Sequence, residues 1–180
     1  MYCHDLQSLL DSFQALKPVW IKFKDYSEIK GFICSIDLPK DRFAVVGMNA
    51  DPDFEDIHRD LVISEVIEVD DLPYPIEPGG KYIIYVDDLR TGDPEKKNQI
   101  IVKSVGEAKA LFKKIDQIGA EIECVDLDHD LGSYEPFGGD AIKLMEYMLE
   151  ENCLYPVKIH TANSSAADAM EQLRDRYWPK

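Results

Sequence analysis

The 180-residue chain predicts two architectures in series: a small, mainly-β barrel-like domain with an N-terminal helix, then an α/β domain on a doubly wound parallel sheet of about four strands. Three observations carry this. Near the N-terminus a single run of apolar residues at helical spacing is followed by several short strand-like runs. Beyond residue 80 strand and helix patterns alternate, which implies right-handed crossovers between parallel strands. Between these two regions, "DLPYPIEPGG" at 71–80 gathers three prolines and two glycines, the usual composition of an interdomain connection. The boundary falls near residue 76, giving domains 1–76 and 77–180.

Leu6, Leu9, Leu10, Phe13 and Leu16 share one helical face, so residues 5–16 form an amphipathic helix. "VWIKFK", "EIKGFICSID", "RFAVVGM" and "LVISEVIEVD" read as strands, separated by turns such as "LPKD" and "NADPDFED". Short twisted strands after a single helix suit a small barrel. In the second region "KYIIYV" and "QIIV" are strands, and Ser104 with Glu107 makes a capping box ahead of Val105, Ala108, Phe112 and Ile115. "IECVDL" is the third strand, "DAIKLMEYMLEE" the next helix and "PVKIH" the fourth strand. The last helix opens at Ser164 or Ser165 and aligns Ala166, Met170, Leu173 and Tyr177 on one face.

Bulk properties narrow the function. A formal net charge of −15 repels phosphate backbones and anionic membranes, and both regions share it: residues 1–80 hold 7 Lys+Arg against 16 Asp+Glu, residues 81–180 hold 13 against 19. Neither region presents a basic patch, so no nucleic-acid partner is expected. No apolar run approaches the ~18 residues of a membrane span, and the first residues lack the basic start of a signal peptide. Cys3, Cys34, Cys124 and Cys153 form no CxxC pair and read as buried thiols of a reducing compartment. A cytoplasmic protein is expected.

The chemistry concentrates at strand ends. In an open parallel sheet the functional crevice lies beyond the carboxyl ends of the strands, and here one strand ends in Asp87 and Asp88, another in "VDLDHDLG" at 125–132, another in His160, Thr161 and Asn163. Asp126, Asp128 and Asp130 alternate, so they share a side while the chain stays extended, with Asp126 set furthest back. Like charges about 4 Å apart repel by roughly 4 kcal/mol at an effective dielectric near 20, so the cluster needs a cation or a proton. An oxygen-rich pocket of this kind suits a hard divalent cation, foremost Mg²⁺. The loop "GSYEPFGGD" at 132–140 could close over a ligand and offer Tyr134 or Phe137 as a stacking surface. Lys158 reads as an exposed charge on an edge strand.

Two resemblances follow from these residues. "IKFKDYSEIKGFICSID" resembles the opening of Sm-like or antiterminator-like barrels. "YVDDLR", a capped helix, "VDLDHDLG" and "IHTAN" resemble a response-regulator receiver domain, a flavodoxin-like fold, and more closely the divergent cyclic-phosphate processing receiver domains. The resemblance implies that Asp87 and Asp88 are the acidic pair, Asp128 the phosphoacceptor position and Thr161 the hydroxyl position. It also implies an activity on cyclic nucleotides or related small phosphates. The sequence offers no fifth strand to deliver a receiver's lysine, which argues against ordinary phosphorelay. The resulting expectation is metal-dependent phosphoester hydrolysis: Asp87, Asp88 and Asp128 hold Mg²⁺, Asp130 orients a ligand or water, His160 is a general acid or base, and Thr161 bonds a phosphate oxygen. Asn163 caps the following helix, whose N-terminal end also suits phosphate. His129 is a second proton-transfer candidate. The rivals are a non-catalytic sensor of a phosphorylated small molecule, a degenerate receiver phosphorylated on Asp128, and an adaptor whose acidic first domain binds a basic protein.

Overall fold

The computed structural model describes residues 6–47, 57–71, 74–93 and 95–179. Cys3 and the turn expected over 49–56 lie outside the described residues. The chain divides into two compact units, Met1–Pro73 and Tyr74–Lys180.

The first unit opens with helix α1 (Leu6–Gln14), whose Leu9 is fully buried. Strands β1 (Pro18–Phe23), β2 (Glu28–Asp37), β3 (Arg42–Gly47), β4 (Ile57–Val62) and β5 (Val66–Asp71) form an antiparallel sheet in the order β4-β3-β2-β1-β5. The run "LVISEVIEVD", a single strand by its pattern, is two: a 3-10 turn at Ile63–Glu65 breaks it. Asp41 fixes that break, since its carboxylate accepts from Ser64 N (3.0 Å) and Ser64 Oγ (2.5 Å) while its carbonyl accepts from Ile63 N (3.2 Å). Geometry then dictates the shape. Strands β4 and β5 end the sheet on opposite sides, about 19 Å apart if it were flat. A three-residue 3-10 turn spans only about 6 Å, so the sheet must curl. Within β2, Gly31 lies so close to β3 that a Cβ would collide with Val46 O. Leu9, Val19, Ile21, Ile33, Phe43, Val45 and Val66 fill the interior.

In β2 the register with β3 shifts between Ile33 and Ser35, and the extra residue, Cys34, is exposed. Cys124 and Cys153 are half-buried. The expectation of buried thiols is therefore corrected.

The second unit is the α/β domain. Strands β6 (Lys81–Val86), β7 (Gln99–Val102), β8 (Glu121–Leu127) and β9 (Val157–Ile159) are all parallel, in the order β7-β6-β8-β9. Helix α2 (Val105–Gln117) joins β7 to β8, α3 (Ala141–Glu150) joins β8 to β9, and α4 (Ser164–Tyr177) follows β9. The capping box is present: Ser104 Oγ accepts from Glu107 N (3.1 Å), and Glu107 Oε2 accepts from Lys103 N (2.7 Å). Asp140 and Asn163 cap α3 and α4. One face of the sheet, with Ile84, Val86, Val102, Val125 and Leu127, shares a single core with Leu111, Leu144, Met145 and Met170 of the three helices. Trp178 closes this core, bonding Tyr155 O through Nε1 (2.7 Å), while Tyr177, expected on the inner face, is exposed. Among the described residues, the connection from β6 to β7 carries no helix. No helix among the described residues is long and apolar enough to cross a membrane.

The strand order places a topological switch between β6 and β8. The chain leaves β6 toward β7 on one side and returns past it to β8 on the other, the arrangement at whose strand carboxyl ends open α/β sheets bind ligands.

Candidate functional site

Parallel pairing lays the polar residues out in two rows. Register sets Asp126 between Tyr85 and Lys158. One pleat further, Asp128 N donates to Val86 O (2.9 Å) and His160 N to Leu127 O (3.0 Å), which sets Asp87, Asp128 and His160 side by side. Residues far apart in the chain thus become neighbours through backbone rungs. Because successive strand residues point to opposite faces, the rows stand on the face away from the helical core.

Asp87 is fully buried and fully bonded. Its Oδ1 accepts from Leu89 N (2.9 Å) and Arg90 N (2.5 Å), a local turn that sends the chain back over the strand end. Its Oδ2 faces His160 Nε2 (3.1 Å), Arg90 Nη1 (3.1 Å) and Tyr85 OH (3.3 Å). Burial opposes ionisation, but these donors, His160 foremost, hold the carboxyl far below the ordinary carboxylate range.

His160 lies between two carboxylates. Nδ1 is 2.6 Å from Asp126 Oδ1, Nε2 faces Asp87, and the ring stacks on Tyr85 at 4.5 Å and 6°. Burial works against the imidazolium, yet the bonds to Asp126 and Asp87 raise its pKa to about 9. The ring is therefore a cation at neutral pH. Burial of Asp126 is likewise outweighed by His160 and by Lys158 Nζ at 2.8 Å, and its pKa is lowered.

Arg90 reaches into the centre. Its Nη1 is 3.1 Å from Asp87 Oδ2, 3.0 Å from Asp128 Oδ2 and 3.4 Å from His160 O. The other oxygen of Asp128 accepts from His129 N (2.7 Å). On the flank of β7, Lys103 Nζ donates to Asp88 O (2.8 Å); burial lowers its pKa against the pull of Asp87, Asp88 and Glu107.

The expected residues divide accordingly. Asp87, Asp128 and His160 converge, each offering a ligand atom within 4.8 Å of the others. Asp88, expected beside them as a metal ligand, is not in this group: its carboxyl lies over Gly132, where a Cβ would run into Asp88 Oδ2. Burial and the charges of Asp87 and Asp128 raise its pKa. Asp130 is exposed and binds His129 Nδ1 (2.7 Å), whose Nε2 faces Asp140 at 3.7 Å. Neither Asp130 nor His129 joins the central group. Thr161 Oγ1 accepts from Asn163 N (3.2 Å) and Asn163 Oδ1 from Ala166 N (3.2 Å), so both shape the start of α4. The loop expected to carry stacking aromatics is a 3-10 helix over Gly132–Phe137 with Tyr134 and Phe137 buried. That expectation is corrected: the aromatics anchor the segment.

Sequence reasoning missed Arg90, Asp126, Lys158, Tyr85 and Lys103 as members of the pocket. Two of them were legible. Tyr85 and Asp87 are two residues apart on one strand, as Asp126 and Asp128 are across the end of the next, so each pair shares the polar face. Asp126 does stand further back than Asp128, yet that depth is what lets it hold His160 from below.

The donor set does not fit Mg²⁺ as arranged. The ion demands near-octahedral oxygen ligation at about 2.0–2.1 Å. Here each oxygen of Asp87 and Asp128 already accepts from a protein donor, both nitrogens of His160 are engaged, and Arg90 Nη1 bridges the two carboxylates. The cation the cluster needs is supplied by the chain.

Residues 82–176 match the family model described as cyclic-phosphate processing receiver domain. No curated protein and no solved structure matches the chain.

Proposed function

The chain belongs to the cyclic-phosphate processing receiver domain family, and from that premise we propose that its pocket hydrolyses the phosphoester of a cyclic nucleotide or another small phosphate. The observation that carries this reading is Arg90 Nη1 held between Asp87 and Asp128, with the His160 imidazolium beside it, at the switch point of a parallel sheet. Positive groups fixed in a half-buried site stabilise the charge that develops on phosphoryl oxygens without reorganising at the moment of reaction.

The roles follow from placement. Arg90, 47% exposed at its side chain, holds a phosphoryl oxygen. Asp128, buried but with some of its side chain still accessible, takes a proton from the attacking water as oxygen adds to phosphorus. The ester P–O bond breaks, and the leaving alkoxide takes the Nε2 proton of His160. Asp126 and Asp87 orient the ring, and Asp130 with His129 and Thr161 with Asn163 shape the approach. Mg²⁺ held by Asp87, Asp88 and Asp128 would supply Lewis-acid polarisation only by displacing Arg90 from the two carboxylates it bridges, so no step of the reaction runs through it.

A sensor that binds without turnover is the second reading, favoured by one observation: both His160 nitrogens are already committed to carboxylates. Such a sensor would pass its signal to a protein partner through the first unit. Phosphorus NMR with 3′,5′- and 2′,3′-cyclic nucleotides, run beside Asp128→Asn, separates the readings. New phosphomonoester resonances that depend on Asp128 support hydrolysis; Asp128-dependent broadening without product supports the sensor. An intact-mass gain after incubation with a small phosphodonor would instead identify a receiver that accepts phosphate on Asp128.

A further inference from the structure

We propose that Arg90 is the built-in replacement for the divalent cation at this site, so that the pocket binds a phosphate group directly through the guanidinium and does so without metal. The inference rests on the phosphate reading above but concerns what binds it.

Three features of the geometry support it. The first is position. The three residues whose ligand atoms cluster tightly enough for an ion are Asp87, Asp128 and His160, and Arg90 Nη1 bonds one oxygen of each carboxylate and approaches the carbonyl of the third residue. The guanidinium therefore occupies the space an ion would need. Its backbone is fixed as well, because Arg90 N donates to Asp87 Oδ1 at 2.5 Å, so the side chain springs from the turn that closes the strand.

The second is charge. Three carboxylates, Asp87, Asp126 and Asp128, are each bonded by basic side chains, Arg90, Lys158 and His160, the last with a carboxylate at each ring nitrogen. Carboxylates already paired in this way offer a dication little net attraction. Adding one would leave unpaired positive charge in a half-buried site, against the desolvation logic that governs such groups.

The third is the direction of the remaining donors. A guanidinium has five N–H groups, and the side-chain hydrogen bonds of Arg90 to Asp87, Asp128 and His160 O all run through Nη1, with the Tyr85 hydroxyl also beside the guanidinium, so none of those three partners engages Nε or Nη2. Those two nitrogens form the planar fork that matches two phosphate oxygens, and the side chain is 47% exposed. One end of Arg90 is thus clamped by the carboxylates, and the other is presented outward.

The test uses the full chain, with metal and phosphate examined separately. First, Mn²⁺ is titrated into metal-stripped protein while the amide resonances of Leu89, Arg90 and His129 are followed. The expected result is no selective broadening at sub-millimolar Mn²⁺ in the wild type. Second, inorganic phosphate is added in EDTA while the Arg90 Nε–H resonance is followed in the wild type and the amide resonances of Leu89 and His129 are followed in the wild type and the variants. These resonances should shift saturably, and Arg90→Lys, which keeps the charge but loses the fork, should weaken binding by about 10- to 100-fold. Arg90→Met should abolish the phosphate effect, and the Lys variant keeps the test readable if Met does not fold. Selective Mn²⁺ broadening in the wild type, or phosphate binding only when Mg²⁺ is present, overturns the proposal while leaving phosphate processing intact. Absence of any phosphate effect, with or without Mg²⁺, overturns both.

Discussion

The His160 clamp makes a quantitative pH prediction. In the folded chain the ring titrates near 9, whereas an unperturbed histidine titrates near 6.5. At 1.36 kcal/mol per unit, the shift corresponds to about 3 kcal/mol of extra stability held by the protonated ring. The sign follows from the direction: because the folded pKa lies above the unfolded one, the contribution is complete below about pH 6.5, declines as pH rises and is gone above about pH 9. His160→Gln removes the titrating group while keeping a side chain that can bond one aspartate. In a Trp20→Phe background, the fluorescence of Trp178, buried in the second unit, reports unfolding of that unit in urea. The difference in unfolding free energy between parent and His160→Gln should shrink by about 3 kcal/mol between pH 6 and pH 9.5. A difference that stays constant over that range, or a ring C–H resonance of His160 with a titration midpoint near 6.5, would refute the clamped imidazolium.

Two further outcomes are expected. Glu107 is buried under Tyr74, and burial raises its pKa to about 7 despite bonds from Lys103 N and Tyr74 OH. Its folded pKa lies above its unfolded one, so it costs stability progressively as pH rises from about 4.5 to 7; Glu107→Gln should flatten that fall in urea midpoints across the same window. Gly31→Ala should destabilise the first unit by about 1–3 kcal/mol in urea unfolding followed through Trp20 in a Trp178→Phe background, because the added methyl collides with the Val46 carbonyl, which cannot turn away, as well as with Val45 Cγ1.

Most of the α/β unit was legible in its apolar periodicity and caps, since Ser104, Glu107 and Asp140 announce helix starts through local chemistry alone. The break at Ile63–Glu65 was not. Its cause is Asp41, a residue more than twenty positions away, and no local pattern in "LVISEVIEVD" records it. The site divides in the same way. Strand-end carboxylates are visible because they interrupt apolar runs, so Asp87 and Asp128 could be picked out. Which of two adjacent aspartates turns inward depends on the pleat: Asp87 shares the polar face with Tyr85, and Asp88 turns toward Gly132. Arg90 stands in plain sight in "VDDLR", but only the turn made by the Asp87 carboxylate folds it back onto the cluster. A sequence pattern shows which charges are present; the pairing among them is a three-dimensional property.

The polar rows also have a consequence for how the chain finds its alignment. Parallel strands with apolar residues throughout can slide, because one register buries nearly as much oil as the next. Here a slip of β8 against its neighbours by one residue would turn Asp126 and Asp128 into the space now held by Leu127 and the helix side chains, and separate Asp126 from Lys158 and His160. A carboxylate stranded there without its partner would cost several kcal/mol, far more than the mispaired strand could recover. The strand-end charges of the site therefore double as a proofreading device, one that penalises a one-residue slip of β8.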